Sequence, residues 1–384
     1  MPLTPDDRES TSHKTKLTHT EFAGRVVTAV IIAAVVILLL WLIGKALQIF
    51  LVLFAAVLFG VFLSNLSQLL HRYVKLPYTW ALTVVVLLFF GILIGGAFLL
   101  APSLVEQGKQ LSQTIPKALQ NLQNQLRQLP FGQQLLEGAP APEELASNSS
   151  QIAKQVMGAF STTLGAIANI FIIIVIGIYL AANPHSMAEG IVKLVPKPKR
   201  DRAREVLYTL GITLWGWLKG TLLAMLLVGI VITIGLTIIG VPLPLILGIT
   251  AGLFEFVPNI GPFIAGAPAV LLGLMSGTSK AIWVIGLFVA VQSLEGWILT
   301  PMLQKKVIDL PPVLTISGQL LLGMLTGLMG LILAVPLMGV LMVLVKMLCI
   351  EDVLGDKDIE VKGEEKAKEL IVKHQREAEN EPEN

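Results

Sequence analysis

The sequence predicts an all-α polytopic integral membrane protein with about six full spans, two further apolar segments broken by glycine and proline, and an amphipathic extracytoplasmic insert. Three observations predict it. Of 384 residues, 54% are hydrophobic and 14% charged, where soluble domains carry roughly 25% charged residues; mean hydropathy is +0.77. Apolar runs close to the roughly 20 residues that cross a bilayer recur along the chain. Two longer stretches, 241–275 (VPLPLILGITAGLFEFVPNIGPFIAGAPAVLLGLM) and 311–345 (PPVLTISGQLLLGMLTGLMGLILAVPLMGVLMVLV), open on prolines and are interrupted near their middles. After the interruption each resumes on a Gly-x-x-x-Ala pattern followed by proline: Gly261, Ala265, Pro268 in the first and Gly330, Ala334, Pro336 in the second.

Residues 1–25 are polar and form a cytoplasmic N-terminus. Residues 26–101 hold three spans. Val26–Gly44 and Ala46–Ser64 are separated by little more than Lys45 and are expected as a tight hairpin, and Tyr78–Ala101 is the third. From 102 to 158 the composition turns to Gln, Ser, Pro and Glu, while Leu111, Ile115, Leu119, Leu122, Leu126 and Leu129 recur at three- and four-residue intervals. That is one apolar stripe on an amphipathic helix, packed on its own protomer or on a neighbouring subunit. Pro130, Gly132, Gly138, Pro140 and Pro142 end it.

Residues 159–182 make the fourth span. The segment 183–219 follows, with Lys193, Lys197, Lys199, Arg200, Arg202 and Arg204 and then an amphipathic face of Leu207, Leu210, Leu214 and Trp217; it is expected at the cytoplasmic membrane surface. Residues 220–349 form the transport region: the span 221–240, then broken segments 241–275 and 311–345 flanking an uninterrupted span at 281–300. Residues 350–384 lack an apolar stripe and read as a charged, solvated cytoplasmic tail. The segment 102–158 has only four Lys and Arg, so basic loops inside and this insert outside place both termini in the cytoplasm.

Whether each broken segment crosses once as a kinked span or turns back as a re-entrant hairpin stays open on length alone. Lys305 and Lys306 favour hairpins, which put their loop on the cytoplasmic side. A long apolar run beginning only after 25 polar residues, with no A-x-A site behind it, is no cleaved leader.

Composition also excludes. A net charge of +2 gives no reason for a nucleic-acid partner, and the single Cys349, read as a small buried residue, allows no internal disulfide. The five histidines lie in polar or loop segments without H-E-x-x-H or other ligand spacing, so no metal, no cofactor and no enzyme are expected. There is no G-x-x-x-x-G-K-[ST] nucleotide loop, so transport draws on a gradient.

The blocks FEFVPNIGPFIAGAPAVLLGL (254–274), LEGWILTPMLQKKVIDLPPVL (294–314) and GLMGLILAVPL (327–337) resemble the signature of the autoinducer-2 exporter family of bacterial membrane proteins. The order of spans, insert and basic segment ending in WGWLKG (215–220) is similar too, over roughly residues 26–349. The resemblance implies a transporter of the bacterial cytoplasmic (inner) membrane, surrounded by lipid and assembled as a homo-oligomer, a pentamer. Some relatives export the quorum-sensing furanone autoinducer-2 and others are linked to sodium/proton exchange.

The candidate pathway residues follow from what a bilayer penalises. Unpaired backbone in hydrocarbon costs several kcal/mol per group unless it is buried in protein or lines a cavity, so matched Gly/Pro interruptions point to a transport site. Pro258 and Pro262 cannot donate backbone hydrogen bonds, which frees the backbone of Asn259, Ile260 and Gly261. A half-helix beginning at Pro262 would aim its positive end at that gap and suit a polar or anionic group. The structural alternative is a kinked helix satisfied by its neighbours.

Glu255 and Glu295 are acids inside apolar spans, expensive enough to be functional by default. Either could carry a proton or hold a sodium ion. Glu255 could equally sit at headgroup level, and Glu295 could cap the backbone at Pro301 or Pro311–Pro312 or bond Gln292 and Ser293. Gln319 is the one amide of the second segment, with its turn at Thr326–Gly327. Gly327 and Gly330 permit close approach, and Pro336 follows.

These features favour a secondary transporter exporting a small polar organic solute, autoinducer-2-like, by alternating access. The alternative within transport is a monovalent cation (Na+ or Li+)/proton antiporter. A non-transporting oligomeric membrane scaffold is the alternative of another class.

Overall fold

A computed structural model of the chain describes residues 19–127, 163–299, 311–356, 361 and 363–380. Contacts divide the chain into two units, Met1–Phe50 and Leu51–Asn384, and the packing described below belongs to the second. The described regular structure is helical: α1 (His19–Val74), α2 (Tyr78–Arg127), α3 (Thr163–Ala182), α4 (Pro184–Lys193), α5 (Arg200–Ile239), α6 (Pro244–Phe254), α7 (Gly261–Met275), α8 (Thr278–Leu294), α9 (Pro312–Thr326), α10 (Leu328–Leu344) and α11 (Glu364–Asn380). A 3₁₀ turn at Lys197–Lys199 precedes α5, and π turns extend α8 over Glu295–Leu299 and α10 over Val345–Glu351. Among the described residues four stretches are long and apolar enough to cross a membrane, and a fifth if α3 and α4 are taken as one bent span. Large apolar side chains such as Leu87, Phe171 and Ile238 stand on the outside, as lipid-facing surface requires. This is a multi-pass membrane protein.

Three boundaries differ from the sequence reading. The hairpin expected at Lys45 is absent, and α1 runs unbroken from His19 through Val74. Gly44 and Lys45 contain no helix-ending signal, since an interior glycine costs only about 1 kcal/mol. The third span does not stop at Ala101: α2 continues through Pro102 and Pro116 to Arg127, because a proline removes one rung and kinks a long helix without having to end it. The rest of the insert, including Leu129, lies outside the described residues. Likewise α5 is a single helix from Arg200 to Ile239, so no separate surface helix carries Leu207–Trp217.

That amphipathic face is covered by protein. Leu210 packs against the cluster of Val206, Val343, Met347 and Val361, and Leu214 is buried. The expected solvated tail is half wrong for the same reason: α11 docks on α5 through the fully buried Ala367. The apolar contacts are too few to register as a stripe, and the rest of the junction is ionic.

Arg202 donates from Nη1 to Glu205 at 2.7 Å, from Nη2 to Glu351 at 2.7 Å and to the Met347 carbonyl at 3.0 Å, and its Nε lies 3.1 Å from Asp352. Lys368 of α11 reaches Glu364 at 2.6 Å and Glu205 at 3.1 Å. Those two carboxylates, Glu364 foremost, hold the Lys368 ammonium above its ordinary value, so this clamp stays charged at neutral pH.

Arg202→Gln should therefore lower the unfolding free energy in detergent by about 1–3 kcal/mol, because charge-assisted bonds are lost and partly buried carboxylates lose their cation. Asp201→Asn removes an exposed partner of Arg204 and should cost less than about 0.5 kcal/mol. Equal thermal shifts for the two would contradict the clamp.

At the other end of α5, Gly240 in the left-handed region ends the helix, and Lys280 at the start of α8 donates to the Gly240 carbonyl at 2.7 Å. Between the two ends, Ile232 and Leu236 of α5, Leu247 of α6, Ala269 and Leu272 of α7 and Val284 of α8 form one core.

Candidate functional site

Both interrupted segments fold back on themselves. The apolar run 241–275 becomes α6, a six-residue break over Glu255–Ile260, and α7. Asn259 takes φ of 68°, a left-handed turn that asparagine tolerates better than most side chains, and Pro262 then opens α7. The run 311–345 becomes α9 and α10, joined at Gly327 with φ of 69° and ψ of −143°, a backbone region open essentially to glycine.

A glycine after each break sits directly on the preceding half. A Cβ at Gly261 would lie 2.0 Å from the Phe254 carbonyl, and one at Gly330 would lie 2.1 Å from both the Leu322 carbonyl and Thr326 Oγ1. Farther down the second pair, a Cβ at Gly318 would meet Met338 at 2.8 Å, which only side-by-side halves allow. Ala265 and Ala334 are both buried. The repeated Gly-x-x-x-Ala pattern thus lies where the two halves of each segment pack together, and the Gly318–Met338 approach sets α9 alongside α10.

Gly330→Ala should destabilise by about 1–3 kcal/mol through overpacking, read as a lowered thermal midpoint in detergent. Gly286→Ala, with nothing within 4 Å of the new methyl, is the matched control.

The two hairpins are anchored at opposite ends of α5. The open end of the first lies near Gly240 and Lys280, and its break lies by Trp217, whose ring meets Phe256 edge-on at 5.4 Å. The open end of the second lies with Val343 and Met347 beside Val206. Gln319, near the middle of α9, donates from Nε2 to the Pro258 carbonyl at 3.0 Å. A backbone oxygen freed by Pro262 is thereby taken up by the one amide of the other hairpin. Because a carbonyl only accepts, this bond fixes the orientation of the Gln319 amide. Its Oε1, in a side chain 1% exposed, has no partner among the described residues.

Glu255 caps the end of α6 and is 4% exposed. Its side chain, that of Gln292 and that of Glu295 come within hydrogen-bonding reach of one another. Glu295 stands where α8 widens into its π turn, and the helix runs on without a break to Leu299. Such π bulges recur at functional sites.

The structure thus gathers Glu255, Gln292 and Glu295 into one cluster and Pro258, Asn259, Gly261, Pro262 and Gln319 into an adjoining one. Gly327, Gly330 and Pro336 belong to the fold-back of the second hairpin, where Pro336 is buried inside α10. Pro301 lies outside the described residues, as does any capping by Glu295 there. Cys349 is exposed, not buried, because it falls on the outer side of the π turn after α10. Among the described residues no three His, Cys, Asp or Glu side chains group as a metal site would need. Sequence reasoning missed Trp217 as a neighbour of the break and Arg202 as a clamp; the acids flanking the basic run were the available signal.

Comparison with known sequences decides the family. The AI-2E family transporter profile matches residues 22–349. The chain belongs to the AI-2E transporter family. YueF of Bacillus subtilis (strain 168), named as a candidate transport protein, is 29% identical over 300 residues, 75% of this chain and 80% of YueF. YrrI of the same organism, named likewise, is 28% identical over 315 residues, 79% and 87%. PerM of Escherichia coli (strain K12), named as a candidate permease, is 24% identical over 270 residues, 67% and 76%. As an AI-2E family member the chain is a membrane transporter, and both hairpins and the carboxyl cluster fall inside the matched region.

Proposed function

We propose that this transporter is a secondary carrier that exports a small polar organic solute, autoinducer-2-like, from the bacterial cytoplasm by alternating access. The observation that carries the reading is the Gln319–Pro258 bond, which ties the break of one hairpin to the middle of the other. The hairpins would enter the bilayer from opposite faces of the inner membrane, and with α8 they would form the moving unit. The helices before Ala182 would form the scaffold of a homo-oligomer, with both termini cytoplasmic. Exporting such a signal would give the protein a part in quorum sensing.

A second reading is favoured by the adjacency of the Glu255 and Glu295 side chains: exchange of Na+ or Li+ for protons, with the carboxyl pair alternating between cargoes. Purified protein in proteoliposomes discriminates. Candidate furanones moving down their own gradient support the first reading, and Na+ or Li+ movement driven by a pH gradient supports the second. No flux of any of them would overturn both and leave the scaffold reading.

A further inference from the structure

We infer that the link between α4 and α5 is a docking site for the phosphate headgroups of an anionic lipid leaflet. The α4 axis turns 90° from that of α3. Since α3 has 20 residues of span-like apolarity, a helix perpendicular to its end runs along the membrane surface. One side of α4 is held by the protein: Val192 is fully buried, Glu189 accepts from Arg204 Nε at 2.6 Å, and His185 Nδ1 lies 3.2 Å from the Tyr208 hydroxyl.

The other side carries Ile191, 53% exposed, and Leu194, 86% exposed. Lys193, Lys197 and Lys199 adjoin them along the chain, all exposed. Among the described residues Lys197 and Lys199 enter no ion pair and Lys193 faces only Glu189, which is already bonded to Arg204, whereas Arg202 and Arg204 of the same basic run are engaged by carboxylates.

The link is also preformed. Arg200 donates from Nε to the Val195 carbonyl and from Nη2 to the Lys193 carbonyl, each at 3.2 Å. Leu194 and Val195 donate to the carbonyls of Ile191 and Val192, and Lys199 donates to that of Pro196. Pro196 and Pro198 fix two further dihedrals. Arg200 is therefore spent on the backbone, and the lysines are left pointing out around an apolar knob. A knob beside a span needs acyl chains, and a ring of cations needs phosphates. An anionic leaflet supplies both at the depth that the bend sets. A soluble acidic protein would satisfy the charge but leave Leu194 in the wrong place, since the same link adjoins the end of a crossing helix.

The test uses the full chain with the exposed Cys349 replaced by Ser and with Leu194→Cys carrying a polarity-sensitive fluorophore. It is reconstituted in nanodiscs of phosphatidylcholine with or without phosphatidylglycerol. Quenching by spin-labelled phosphatidylglycerol should exceed that by equally labelled phosphatidylcholine several-fold. The triple variant Lys193→Gln, Lys197→Gln, Lys199→Gln should bring the two to parity. High salt should do the same to the parent, which keeps the test independent of the variant's folding.

Inorganic phosphate at matched ionic strength should leave the ratio unchanged; if it abolishes the ratio, the lysines bind free phosphate and the leaflet assignment falls. Equal quenching by both lipids in the parent, or a fluorophore that stays in water, would also overturn the inference.

Discussion

Glu255→Gln is expected to leave a folded, monodisperse protein whose proton-coupled Na+ or Li+ movement in proteoliposomes falls to background. The amide keeps the size of the carboxyl and can still bond Gln292 and Glu295, the partners at its side, but it cannot take up or release a proton. Glu295→Gln should damage coupling less, since Glu295 is the more accessible of the two, and the double variant should be no worse than Glu255→Gln alone because the pair acts as a unit. Unaltered pH dependence in Glu255→Gln would remove protons from the mechanism and leave solute export standing by itself. A large loss of thermal stability with normal coupling would make the pair structural.

Gln319→Leu should have the second large effect. It takes the donor from the Pro258 carbonyl, and an unpaired buried carbonyl costs about 1–3 kcal/mol; deleting the unpartnered Oε1 offsets part of that. The expected readings are a modestly lowered unfolding midpoint and a large loss of flux, because the hairpins lose the bond that joins their movements. Gln319→Asn, one methylene shorter, should behave like Leu if reach matters and like the parent if any amide suffices. Parent-level flux in Gln319→Leu would show that the bond only fills space.

Much of this arrangement was readable from residue patterns because it depends on glycine and proline. Pro258, Pro262, Gly261 and Gly330 announce backbone that leaves the helix and packs closely. Glu255 and Glu295 stand out because apolar surroundings make acids conspicuous. Pairing was not readable: that Gln319 of one hairpin would meet Pro258 of the other depends on packing across 61 residues of sequence. Continuity was misjudged where the signal was a charge or a lone proline. Lys45 did not end α1, and Pro102 did not end α2, because neither removes enough backbone bonding to stop a long helix. The tail was misread since α11 reaches α5 largely through ion pairs, Glu364 to Arg202 and Lys368 to Glu205, and ion pairs leave no periodic mark.

With its 40 residues in one piece, α5 behaves as a strut secured at both tips, by carboxylates around Arg202 and by the lysine that seals Gly240. Tilting such a strut would sever one fastening or the other. On the alternating-access reading, α5 would therefore shift only together with the α10 end and α8, to which its tips are fastened.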